Sequence, residues 1–89
     1  MKLEQNEKPL LFSSTEIADV FFTEYLSQSS GDYIKVYLYM LFLSKYNKEI
    51  KVNDLSKKLA IPFKTIQDAI THWETLGAIT KKGTRIHFK

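Results

Sequence analysis

Apolar positions recur at helical spacing over most of this chain. Ile17, Val20, Phe21 and Tyr25 fall on one stripe of a 3.6-residue wheel, and Phe22 and Leu26 add a second ridge beside it. Ser13 followed three residues later by Glu16 is a capping-box pattern, so a first helix is expected to begin near Ser14. The small polar run SQSSG at residues 27–31 is expected to end it.

Residues 32–46 read DYIKVYLYMLFLSKY, where Lys35, Ser44 and Lys45 interrupt an otherwise apolar cylinder. Ile34, Leu38 and Leu41 make one face, Val36, Met40 and Leu43 another, and Tyr39, Phe42 and Tyr46 a third, with Tyr33 and Tyr37 between the first two. A helix apolar all round is normally buried all round. Either the first helix covers one of these faces, or a second copy of the protein does.

The later part of the chain changes pattern. Residues 49–52 read as a short β-type run, with Ile50 and Val52 on one side and Lys51 on the other. Asn53 is then a suitable N-cap for a helix through LSKKLA, with Leu55 and Leu59 inward and Lys57 and Lys58 outward. After a tight connection at Ala60 and Ile61, Pro62 suits the first turn of another helix. That helix carries Ile66, Ala69, Ile70 and Trp73 on one face and is expected to end at Gly77. Ala78 and Ile79, a polar tip Lys81-Lys82-Gly83-Thr84, and an alternating strand then follow. In that strand Ile86 and Phe88 face one way and Arg85, His87 and Lys89 the other, a hairpin pattern.

This order predicts a mainly α fold with a small β-hairpin: a winged helix-turn-helix with an extra N-terminal helix. Residues 1–12 are expected to be an N-terminal tail and residues 13–89 the winged-helix domain. The segment LSKKLAIPFKTIQDAITHWETLGAI resembles the winged-helix signature of bacterial regulators, with Leu55, Leu59, Ile61, Ile66, Ile70, Trp73, Gly77 and Ile79 at its apolar and glycine positions.

Composition narrows the picture. Eighty-nine residues, 44% apolar and 26% charged, fit one domain and leave no room for a second core. Zero cysteines exclude disulfides and thiolate zinc sites, which points to a reducing, cytoplasmic setting. The longest apolar run, residues 36–43, falls well short of the roughly 20 residues a membrane span needs. The first residues lack the pattern of a secretory signal.

A net charge of +3 and a pI near 9.1 tolerate a polyanion without proving that one binds. The charge is uneven: residues 1–31 hold two Lys and five acids, residues 32–60 six Lys and three acids, and residues 61–89 five bases and two acids. Nine of the twelve aromatics precede Asn47. An aromatic, acidic front and a basic back imply two working surfaces.

A helix that reads DNA needs donors and acceptors for base edges and positive charge for phosphates. Lys64, Thr65 and Gln67 are the candidates on the later helix. Asp68 and Glu74 oppose them, because residues 62–76 hold one Lys and two acids. The basic residues lie instead at Lys57 and Lys58 and around the hairpin, at Lys81, Lys82, Arg85 and Lys89. Salt-sensitive backbone contact through Lys81, Lys82 and Arg85 is therefore expected over sequence reading. His72 and His87 stand fifteen residues apart with no spaced ligand set, the three glycines are isolated, and no serine has a nucleophile-elbow context. Neither catalysis nor a metal or cofactor is expected.

The stretch STEIADVFFTEYLSQSSGDYIKVYLYMLFLSKY, then a basic strand, a helix-turn-helix and HWETLGAI, resembles the N-terminal winged-helix domain of DnaD-like replication proteins of low-GC Gram-positive bacteria and their phages. The most specific pieces are VFFTEYL, KVYLYMLFLS and His72-Trp73-Glu74, and the likeness covers residues 13–79. It implies a primosome component of replication initiation, whose N-terminal domain serves self-association and contacts with replication proteins. It implies an oligomer-forming role for Phe21, Phe22, Tyr25, Tyr37, Tyr39 and Phe42. DNA binding in that family lies mainly in a C-terminal helical domain, to which no residue here corresponds. The alternative is a small winged-helix transcriptional regulator that reads an operator as a dimer, using Lys64, Gln67 and Thr71.

Overall fold

Helical periodicity and one alternating strand pair become, in the computed structural model of the chain, a helical body carrying a two-stranded hairpin. The structure describes residues 14–46, 49–82 and 85–88. The expected tail at residues 1–12, Ser13 of the capping box, Gly83 and Thr84 of the hairpin tip, Lys89 and the side chain of Arg85 lie outside that description.

The front of the chain departs from expectation. Residues 14–18 carry no regular structure, so the helix does not start near Ser14. Helical backbone begins at Asp19, widens into a π turn over Phe21–Tyr25 and tightens into a 3-10 turn over Leu26–Gln28. The Leu26 N–H donates to the Phe21 carbonyl, the five-residue reach that defines a π turn. Phe21 is 2% exposed, stacked on Tyr37 at 4.9 Å between ring centroids and lying 6.0 Å from Trp73. Ile17 and Tyr25 pack beside it, so the first stripe faces inward, while the second ridge, Phe22 and Leu26, is exposed.

Ser30 caps the next helix, α1 (Gly31–Ser44), by accepting a hydrogen bond from the Tyr33 N–H. Gly31 is thus the first residue of α1 and not the terminator of the segment before it. Val36, Tyr37 and Met40 are buried, and most of the other large apolar side chains of α1 are half-buried. The front segment covers one side of α1 through Phe21. Tyr39, Phe42 and Tyr46 form an aromatic row on the outer side, with centroids 5.7 and 5.4 Å apart.

No strand forms over residues 49–52. Lys51 is extended, but the helix α2 (Val52–Leu59) already starts at Val52, so Asn53 lies inside it and caps nothing. Ile50 and Val52 satisfy their apolar side chains by packing on the core, which needs no ladder. At the end of α2, Ala60 adopts the left-handed conformation (φ 56°, ψ 44°) and the Ile61 N–H closes back on the Ser56 carbonyl. Pro62 stands just before α3 (Phe63–Thr75), its carbonyl accepting from the Ile66 N–H.

α3 ends at Thr75, two residues before Gly77. Gly77 takes φ 80°, and the N–H groups of Ala78 and Gly77 return to the carbonyls of Trp73 and Glu74. This Schellman closure aims the chain into β1 (Ile79–Lys82), which pairs antiparallel with β2 (Arg85–Phe88) in the register Ile79↔Phe88, Thr80↔His87, Lys81↔Ile86, Lys82↔Arg85. Ile86 and Phe88 pack inward and His87 is exposed, as the alternation predicts. The core lies where α1 crosses α3, with Leu55 and Ile61 beneath and Ala78 and Ile79 closing one end. No helix among the described residues is long and apolar enough to cross a membrane.

Candidate functional site

The outer face of α3 is built by what its inner face requires. Ile66, Ala69, Ile70 and Trp73 are buried, which leaves Lys64, Gln67, Thr71 and Thr75 exposed and Thr65 half-buried. Lys64 Nζ reaches Asp68 Oδ1 one turn on, at 3.1 Å, so the one lysine on this helix is engaged by an acid of the same face. Phe63, 44% exposed, stands at its start. Lys81 and Lys82 are exposed on the hairpin, and the Arg85 backbone pairs with Lys82. The hairpin thus gathers cations that α3 lacks.

The six aromatics of the candidate oligomer surface separate. Phe21 and Tyr37 are core: both are buried, and both stack within the molecule. They offer no free surface while the fold is intact, which corrects their place in an interface. Phe22 is 55% exposed, and Tyr25, Tyr39 and Phe42 are half-buried. Burial holds the Tyr37 hydroxyl above its ordinary pKa of 10.0, and the neighbouring Tyr25 adds to that.

A polar clasp between the front segment and α3 has no signal in the sequence. Ser29 Oγ donates to the Tyr25 carbonyl at 2.7 Å and lies 2.8 Å from His72 Nε2. With the hydroxyl donating to the Tyr25 carbonyl, a proton on Nε2 would complete the clasp by donating to Ser29 Oγ. Burial holds His72 below its ordinary pKa of 6.5, which favours the neutral ring. Beside it, Trp73 Nε1 donates to the Tyr33 carbonyl at 2.8 Å. The two contacts span 43 and 40 residues, far beyond any local pattern.

A groove of about 440 Å³ opens between α1 and α2. Tyr39, Leu43 and Leu55 give it an apolar lining, and Lys51, Lys57 and Lys58 stand with Glu49 and Asp54 around them. Tyr39 and Leu43 reach it from α1 and the other residues from α2 and the connection before it, so it depends on how the two helices pack, which residue spacing does not reveal. No group of three His, Cys, Asp or Glu able to hold a metal ion occurs among the described residues. No family model matches the chain, and no curated protein or solved structure does.

Proposed function

We propose that the chain is a winged-helix module of the DnaD-like kind, acting in replication initiation through self-association and protein contacts, with DNA touched only through its hairpin. The order of α1, α2, α3 and hairpin supports the winged-helix reading. The observation that carries the functional reading is the Lys64–Asp68 pair: the helix that would read bases has its only lysine engaged by an acid on the same exposed face. A phosphate approaching there meets Asp68 as well as Lys64, whereas Lys81 and Lys82 are exposed without an ion pair among the described residues. Exposed Phe22 and the row Tyr39, Phe42 and Tyr46 support protein contact.

The test is a random-sequence DNA selection with the purified chain at physiological salt, followed by titration of variants. The expected result is no recovered site, and residual binding lost in Lys81→Glu/Lys82→Glu but unchanged in Gln67→Ala. Recovery of a palindromic site whose affinity falls by on the order of tenfold or more in Gln67→Ala would establish an operator-reading regulator instead.

A further inference from the structure

Between Ser14 and Ile34 the sequence has four acids and neither Lys nor Arg. All four are exposed, and three of them, Glu16, Asp19 and Glu24, stand on the segment that also exposes Phe22 (55%) and Leu26 (40%). The groove presents the converse: Tyr39, Leu43 and Leu55 line it, and three lysines, Lys51, Lys57 and Lys58, outnumber two acids. The ion pair among the described residues is Lys64–Asp68, so neither the acids of the front nor the lysines of the groove are neutralised by one another within the molecule.

An apolar knob flanked by acids and an apolar groove flanked by lysines are complementary halves of one contact. We propose that a second copy of this chain seats Phe22 and Leu26 in the groove between α1 and α2, with Asp19 and Glu24 meeting Lys57 and Lys58. Both halves stand on every molecule, which makes another copy the occupant. The contact joins unlike surfaces, so each molecule added leaves one knob and one groove free. Assembly proceeds head to tail, into a ring if the rotation closes and a filament if it does not. This deepens the self-association part of the proposed function and rests on it.

Sedimentation of the full chain and two variants separates the possibilities. Phe22→Ser/Glu24→Gln removes the knob, and Lys57→Glu/Lys58→Glu reverses the groove. All four positions are exposed, so circular dichroism should match the parent. Each variant alone should self-associate on the order of tenfold or more weakly than the parent. An equimolar mixture should form a 1:1 heterodimer that grows no further, because the knob variant keeps its groove and the groove variant keeps its knob. If the parent associates but the mixture gives no heterodimer, or either variant associates as the parent does, the head-to-tail contact is overturned and self-association stands. A parent that stays monomeric overturns both.

Discussion

Trp73 is the residue on which the front segment, α1 and α3 converge. Its ring is fully buried, lies within 6.0 Å of Phe21, Tyr25 and Tyr37, and its N–H is bonded to the Tyr33 carbonyl. Trp73→Ala should cost about 3–5 kcal/mol in urea unfolding, as for other large buried aromatics, and a loss below about 1 kcal/mol would contradict this packing. His72 gives a pH signature. Its folded pKa lies below the ordinary 6.5, so the unfolded chain binds its proton more readily. The stability it contributes is complete above pH 6.5 and is lost as pH falls through the lower folded value. His72→Gln should flatten the urea midpoint against pH over that interval, and an unaltered slope would assign the dependence to other groups. Trp73 was legible because Ile66, Ala69 and Ile70 share its stripe. Ser29, in a run that reads only as a polar connection, gave no hint of its partner.

At the scale of elements, turn chemistry decides where the later helices stop. Ala60 sits at φ 56° and is exposed, so its methyl group strains the backbone without packing in return. Ala60→Gly relieves about 1–2 kcal/mol of left-handed strain against about 0.4–1 kcal/mol of added unfolded-state entropy. A net gain of about 0.5–1 kcal/mol in urea unfolding is expected, and a loss would mean that the turn relaxes without strain. The same conformation at Gly77 was foreseeable, because glycine advertises it. Periodicity also placed α1 and α3 within a residue or two. At the front segment the stripe of Ile17, Phe21 and Tyr25 turned inward as its spacing predicts, but the helical backbone starts at Asp19 and not near Ser14. Periodicity failed at one place, residues 49–52, where an alternating run had no partner strand and Ile50 and Val52 were already packed.

Across the whole molecule, an acidic front faces a basic remainder. Lysines outnumber acids in the groove, and Lys81 and Lys82 are exposed on the hairpin, so added salt should weaken both self-association and DNA contact. The two should respond to different substitutions. Lys81→Glu/Lys82→Glu should abolish DNA retention at low salt and leave sedimentation unchanged, whereas Lys57→Glu/Lys58→Glu should disperse the assembly. Equal loss of both functions in either variant would mean a single shared surface. The charge division was visible in the sequence. The groove was not, since it depends on how α1 lies across α2.

The π turn at Phe21–Tyr25 makes chain length negotiable there. Such a turn holds one residue more than the α turn spanning the same distance. Thr23 is exposed, and among the described residues its hydroxyl meets the backbone carbonyls of Asp19 and Val20. Deleting Thr23 should let the segment rewind as ordinary helix with Phe21 and Tyr25 still on one face, leaving the near-ultraviolet signal of Trp73 intact. Deleting one residue between Ile66 and Trp73 would rotate one half of α3 against the other by about 100° and remove that signal. Natural variants that differ in length by one residue should therefore vary at the front segment and keep α3 constant.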